Sequence, residues 1–133
     1  MPSSKALIAG AVGGVVNAVY GFVMHALIMG NTYRKYTVFS QDQSKMAWYI
    51  IIPILLGVVG GLFFAKTRSA WDAGPTGGAT FGLWIGLVAF VANFFMPLMI
   101  VGYPYYLTWC TGAINLIGWM VVGATIAAMY KTA

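Results

Sequence analysis

The most unusual property of this chain is the charge that it lacks. Charged residues make up 7% of it, against about 25% in soluble globular proteins, and glutamate does not occur. Residues 73–130 include no Asp, Glu, Lys, Arg or His. A soluble domain needs charged groups on its exposed faces. The composition therefore excludes one, and the mean hydropathy of +0.85 predicts an integral membrane protein.

Cysteine, histidine and acidic residues are also scarce. One cysteine, Cys110, excludes an intrachain disulfide and a cysteine metal cluster. Both aspartates, Asp42 and Asp72, fall in polar stretches between the apolar segments. With one histidine and no buried carboxylate, the chain offers no catalytic triad, acid–base pair or metal site. We therefore expect no enzyme, and no proton- or sodium-coupled transporter acting alone, because such transporters place ionisable side chains along their pathway.

The apolar segments that remain are long enough to cross a bilayer, which takes about 20 residues per helix. They predict an all-α integral membrane protein with four transmembrane helices in a compact bundle, forming one domain over residues 1–133. The expected spans are residues 6–29, 47–65, 78–101 and 109–130. The first exceeds the roughly 7–15 apolar residues of a signal peptide, so we expect it to be retained. Similar sequences before Tyr33 and before Tyr103 suggest two similar helical hairpins.

Small residues recur at helical spacing within the predicted spans. In lipid, such residues let helix backbones approach closely. The candidate packing residues are Gly10, Gly14 and Asn17 in the first span, Gly57 and Gly61 in the second, and Gly78, Gly82 and Gly86 in the third. We expect these faces to exceed what four helices need for each other, which predicts packing against further membrane subunits.

Asn93 is predicted to be the most polar position inside the membrane. Pro97 lies four residues later and removes the donor that would satisfy the Asn93 carbonyl. The commoner interpretation is a kink whose polar groups are satisfied by a neighbouring helix or a buried water. A ligand or pigment contact is the alternative. Asn115 in the fourth span is expected at similar depth, where the two amides would pair.

His25 is the one residue that would ligate haem or chlorophyll from inside a span. The alternative is a histidine hydrogen-bonded near the membrane boundary. No intrinsic cofactor is expected otherwise, although bound lipid is. The net charge of +5 is interpreted as headgroup anchoring and not as nucleic-acid binding.

The polar segments set the expected orientation. Four spans put both termini on one side, with Lys5, Lys66, Arg68 and Lys131, against Arg34, Lys35 and Lys45 on the other. The positive-inside rule then places the termini in the cytoplasm, with a bacterial inner membrane as the expected location. The opposite surface, residues 33–45 and 103–109, is rich in aromatics and is a candidate for binding an extracytoplasmic partner.

The end of the first span is also similar to a known group of proteins. Gly21 stands four residues before His25, and Tyr33 follows the apolar stretch. In this it resembles small bacterial membrane proteins of four helices whose function is unknown. The segments 82–86 and 118–130 are similar in character to the same family. The resemblance implies a four-helix topology and no activity.

Three functional hypotheses follow from the sequence. The first is a non-catalytic accessory subunit of a larger membrane complex, of electron transport or photosynthesis. The second is a small homo-oligomeric transporter or channel for a neutral or hydrophobic solute, working around the kink at Asn93. The third is a subunit that contributes a haem or chlorophyll ligand through His25.

Overall fold

A computed structural model describes residues 2–40 and 42–132 of the chain. These residues form helices and loops, without strands. The helices are α1 (Pro2–Gly21, continued by a π-helix over Phe22–Ile28), α2 (Gly30–Tyr33), α3 (Trp48–Lys66), α4 (Gly74–Ala92), α5 (Met96–Met99) and α6 (Tyr105–Thr132), with 3₁₀ turns at Arg68–Ala70 and Asn93–Phe95. Four segments are long and apolar enough to cross a membrane: Ser4–Ile28, Trp48–Lys66, Gly74–Met99 and Tyr105–Tyr130. The predicted all-α, four-span fold is confirmed.

Two spans begin earlier than predicted, and proline explains both. α4 starts at Gly74, not at residue 78, because Pro75 occupies the first turn, where its missing N–H is not needed. α6 starts at Tyr105, not at residue 109, directly after Pro104. The turn before it is tight because Gly102 adopts a φ of +83°, which favours glycine. Both prolines therefore mark the start of a helix.

The four long helices run up and down, and successive helices pair as two hairpins. α1 packs on α3, α4 packs on α6, and α1 and α6 meet at the centre, while α3 and α4 lie on the outside. We call the end at which α1 begins and α6 ends the terminal end. The other end, where α1 leads to α2 and α4 to α5, is the hairpin end.

Glycines bring the backbones of α1 and α3 into direct contact. A Cβ on Gly10 would lie 2.6 Å from the carbonyl oxygen of Gly57, and one on Gly14 would lie 2.6 Å from the Cα of Ile54. Gly61 meets Gly10 in the same way, at 2.7 Å from its Cα. The first-span and second-span glycines predicted to pack therefore pack on each other.

The third-span glycines make the equivalent contact between α4 and α6. Gly78 faces Gly123, Gly82 faces the carbonyl of Trp119, and a Cβ on Gly86 would lie 2.9 Å from the Cα of Leu116. The small-residue faces are thus consumed within the bundle. The expectation that they exceed what the four helices need for each other is wrong, because α6 presents backbone at the positions that α4 approaches.

The buried core lies toward the terminal end. Its largest side chains, Phe64 from α3 and Phe81 from α4, pack edge to face with ring centroids 5.2 Å apart. The buried cluster around them consists of Ala9, Phe64, Phe81, Val122, Ile126 and Ala127. At this end, all four helices are held together.

Candidate functional site

Toward the hairpin end, the four helices separate around a cleft of about 730 Å³. α1 and α6 form its floor, and α3 and α4, which meet through Phe63, Phe64 and Phe81, form its two walls. Trp119 closes the cleft toward the core, where its ring packs over Gly60. The lining residues are Asn17, Tyr20, Gly21, His25, Pro53, Leu56, Phe63, Ile85, Val88, Ala89, Asn115, Gly118 and Trp119. The walls are apolar, and four polar side chains lie among them.

Two of these polar side chains, Asn17 and Tyr20, tie α1 to its neighbours α3 and α6. The Asn17 amide donates to the carbonyl of Pro53 in α3, at 3.4 Å. The Tyr20 hydroxyl donates to the carbonyl of Ile114 in α6, at 2.7 Å, and its ring lies against Gly118. Asn17, which was predicted to be a packing residue, therefore lies at a helix contact and also lines the floor of the cleft.

The other two, His25 and Asn115, lie together at the hairpin end of the cleft. His25 is carried by the π-helix Phe22–Ile28, a type of irregularity that occurs often at functional sites. Its Nδ1 is 2.6 Å from the hydroxyl of Tyr33, and Asn115 lines the same cleft. The expected pairing of Asn115 with Asn93 is wrong, because the Asn93 amide bonds to Thr108 and Thr111 while Asn115 lines the cleft.

Tyr33 begins a row of aromatic rings that covers this end of the cleft. Its ring centroid is 4.8 Å from that of Phe39, which in turn lies 5.6 Å from that of Tyr103. Burial raises the pKa of Tyr33 to about 12, with smaller contributions from Tyr103 and Cys110. Part of the predicted aromatic surface, Tyr33 with Phe39, therefore packs beside His25, whereas Tyr105, Tyr106 and Trp109 are exposed.

Asn93 forms a separate polar contact that does not line the cleft. Its amide donates to the carbonyl of Thr108 at 2.9 Å and to the hydroxyl of Thr111 at 2.8 Å. Its own carbonyl accepts from the N–H of Met96 in the 3₁₀ turn. The expectation that the Asn93 carbonyl lacks a donor is therefore wrong, because the 3₁₀ turn before Pro97 brings the N–H of the third following residue to it.

The partners of His25 bear on the cofactor hypothesis. Tyr33 occupies Nδ1 and Asn115 lies beside the ring, which matches the alternative of a hydrogen-bonded histidine near the boundary. No group of three or more His, Cys, Asp or Glu side chains that would hold a metal ion occurs among the described residues. Haem or chlorophyll ligation stays a prediction, with Nε2 as the nitrogen that would serve.

Sequence reasoning did not single out Tyr20 or Trp119. Tyr20 carries a usable signal, because it follows Asn17 by three residues and therefore shares its helix face. Trp119 has no such signal in the sequence, because other tryptophans of this chain, such as Trp84 and Trp109, are exposed. A tryptophan within a span therefore does not indicate a place in the cleft. The position of Trp119 in the cleft depends on the crossing of α6 with α3.

Comparison with known proteins adds no name to this site. No protein-family model matches the chain, and no curated protein or solved structure is significantly similar to it. The resemblance carried by residues 21–33 stays a prediction.

Proposed function

We propose that the protein binds a neutral, mostly apolar small molecule in the cleft and moves it within or across the membrane. The observation that carries this proposal is the cleft itself, an open groove whose apolar walls stand on either side of a few polar groups. Small-molecule sites have this character and measure about 300–1,000 Å³, a range that includes this cleft of about 730 Å³. The function is binding and transport, without catalysis.

The arrangement of the cleft indicates how a ligand would lie in it. Leu56, Ile85 and Val88 provide apolar contact along the walls. His25 and Asn115 provide hydrogen bonds at the hairpin end. The opening between α3 and α4 faces the lipid, so a hydrophobic molecule would enter sideways from the bilayer. This agrees with the solute class of the transporter hypothesis, but the site is the cleft and not the Asn93 kink.

The test compares two phenylalanine substitutions on α4. Ala89→Phe places a ring inside the cleft, whereas Val91→Phe enlarges a side chain that is exposed and does not line it. Small molecules retained by each purified variant would be extracted and identified by mass spectrometry. We expect Ala89→Phe to lose a compound that the wild type and Val91→Phe both retain. Equal recovery from all three proteins would contradict the proposal.

The accessory-subunit hypothesis becomes the second candidate, since its small-residue argument has failed. The native mass in gently solubilised membranes distinguishes the two. A large complex with other integral subunits, of electron transport or photosynthesis, would favour the accessory role. A small homo-oligomer would favour transport.

The proposed location is a bacterial inner membrane with cytoplasmic termini. Lys5, Lys66 and Arg68 lie at the terminal end, and the positive-inside rule supports this orientation. The test of this orientation replaces Ser69 by cysteine and Cys110 by alanine. It measures how far a membrane-impermeant thiol reagent labels the new cysteine. Labelling in lysed cells and not in intact ones is the expected result.

A further inference from the structure

A second, smaller pocket lies at the terminal end, away from the cleft. It measures about 300 Å³ and is lined by Lys5, Arg68, Ala73, Gly74, Ala127 and Tyr130. Three of the four spans have an end at it: α1 begins there, α4 begins there and α6 ends there. The ends of transmembrane helices lie at the level of the lipid headgroups, so the pocket lies in that layer.

Two cationic side chains line this pocket, and among the residues that the structure describes no acidic side chain lines it with them. The guanidinium of Arg68 donates to the carbonyl of Trp71 at 2.8 Å and lies 5.9 Å from the ring centroid of Phe64. These contacts fix its position but leave its charge in place. Lys5, near the start of α1, is exposed and lines the same pocket. Asp72, the nearest acidic residue in the sequence, does not line it.

The remaining lining also suits an anion with an acyl chain attached. α4 begins at Gly74, and its N-cap Ala73 makes no side-chain capping bond, so the positive end of the helix dipole adds to the two cations. Tyr130 and Ala127 provide an apolar side of the same pocket. An aromatic at the headgroup level beside cations is typical of a membrane interface.

We propose that this pocket binds the phosphate group of an anionic phospholipid. Lys5 and Arg68 pair with the phosphate, and the acyl chains lie along the lipid-facing side of α6. This site is distinct from the cleft, and it does not depend on the function proposed for the cleft.

The experiment measures retention of phosphatidylglycerol. The protein is reconstituted in vesicles of phosphatidylcholine and phosphatidylglycerol, solubilised in mild detergent, and examined by native mass spectrometry. The variant is Lys5→Gln with Arg68→Gln. The control is Arg34→Gln with Lys35→Gln, which removes two exposed cations from the hairpin end. We expect a loss of about 30-fold in the variant, at about fivefold for each of two cations that face one pocket, and little change in the control, because Arg34 and Lys35 do not line this pocket.

Further variants and a competitor distinguish the remaining outcomes. Lys5→Gln alone tests the site while the contacts that Arg68 makes within its own loop stay intact. We expect this variant to retain about fivefold less lipid. Arg68→Lys should retain most of the lipid. Equal retention by the variant and the wild type, or equal losses in variant and control, would overturn the proposal. Displacement of the lipid by inorganic phosphate at similar concentration would also overturn it, because the site would then recognise free phosphate.

Discussion

The two halves of the bundle are similar in composition but pack differently. In the terminal half, glycines bring helix backbones together, and Phe64 and Phe81 fill what space remains. In the hairpin half, the same four helices spread around the cleft. The difference does not come from hydrophobicity, since every span is strongly apolar.

What differs is the regularity of the helices. The hairpin half holds the π-helix at Phe22–Ile28, Pro53 within α3, and the 3₁₀ turn Asn93–Phe95 followed by Pro97. Within the described spans, the terminal half has no such interruption. An irregular turn redirects a helix and exposes polar groups that side chains must satisfy. We infer that glycine contacts fix the bundle at one end, while interrupted helices create the cleft at the other.

The largest expected effect comes from adding a methyl group to a glycine contact. In Gly82→Ala, the new Cβ would overlap the carbonyl of Trp119, and because both partners are backbone, α4 must move away from α6. We expect a loss of about 3 kcal/mol in the free energy of unfolding in detergent, measured by circular dichroism. Gly21→Ala is the matched control, because nothing lies within 4 Å of its Cβ position. Equal stability of the two variants would contradict the description of the terminal half.

The sequence predicted these glycine faces but not their partners. Spacing of four residues places Gly78, Gly82 and Gly86 on one face, and nothing more is needed for that step. Which helix covers the face depends on how the four helices cross. Two of the three α6 residues whose backbone meets this face, Leu116 and Trp119, are large, and only Gly123 is small. A pattern of small residues therefore identified one side of the interface and could not identify the other.

A smaller effect is expected at Asn93, which lies in the hairpin half but outside the cleft. Asn93→Leu removes the hydrogen bonds to Thr108 and Thr111 with little change in volume. Interhelical hydrogen bonds in membranes average about 0.6 kcal/mol, so we expect a loss of about 1 kcal/mol in unfolding free energy. Retention of small molecules should be unchanged, because Asn93 does not line the cleft. Loss of the bound compound without loss of stability would contradict this separation.

The polar residues show why the site was harder to predict than the fold. Counting residues along ideal helices placed Asn93 and Asn115 at the same depth. α6 starts at Tyr105, four residues earlier than predicted, so Asn115 lies about one turn deeper than that count implied, and Asn93 bonds to Thr111, one turn before Asn115. Depth counted from the end of a span inherits any error in that end, and helix ends are the least certain part of a sequence-based prediction. The four spans were predictable because apolar length is insensitive to such local changes.

The smallest effect on folding, and the most direct test of the closed hairpin end, is the ionisation of Tyr33. Tyrosine ordinarily titrates near pH 10, whereas burial raises the pKa of Tyr33 to about 12. The folded state therefore favours the neutral phenol. Its stabilising contribution is complete below about pH 10 and is lost as the pH rises toward 12.

An ultraviolet difference titration of the wild type against Tyr33→Phe isolates this one group among the eight tyrosines. We expect the difference spectrum to develop near pH 12, because His25, Phe39 and Tyr103 shield the hydroxyl. Replacing Phe39 by alanine should move the transition toward pH 10 by admitting water. A difference spectrum already complete near pH 10 in the wild type would mean that the aromatic row does not close the cleft. A ligand would then have a second route to His25, from the aqueous side.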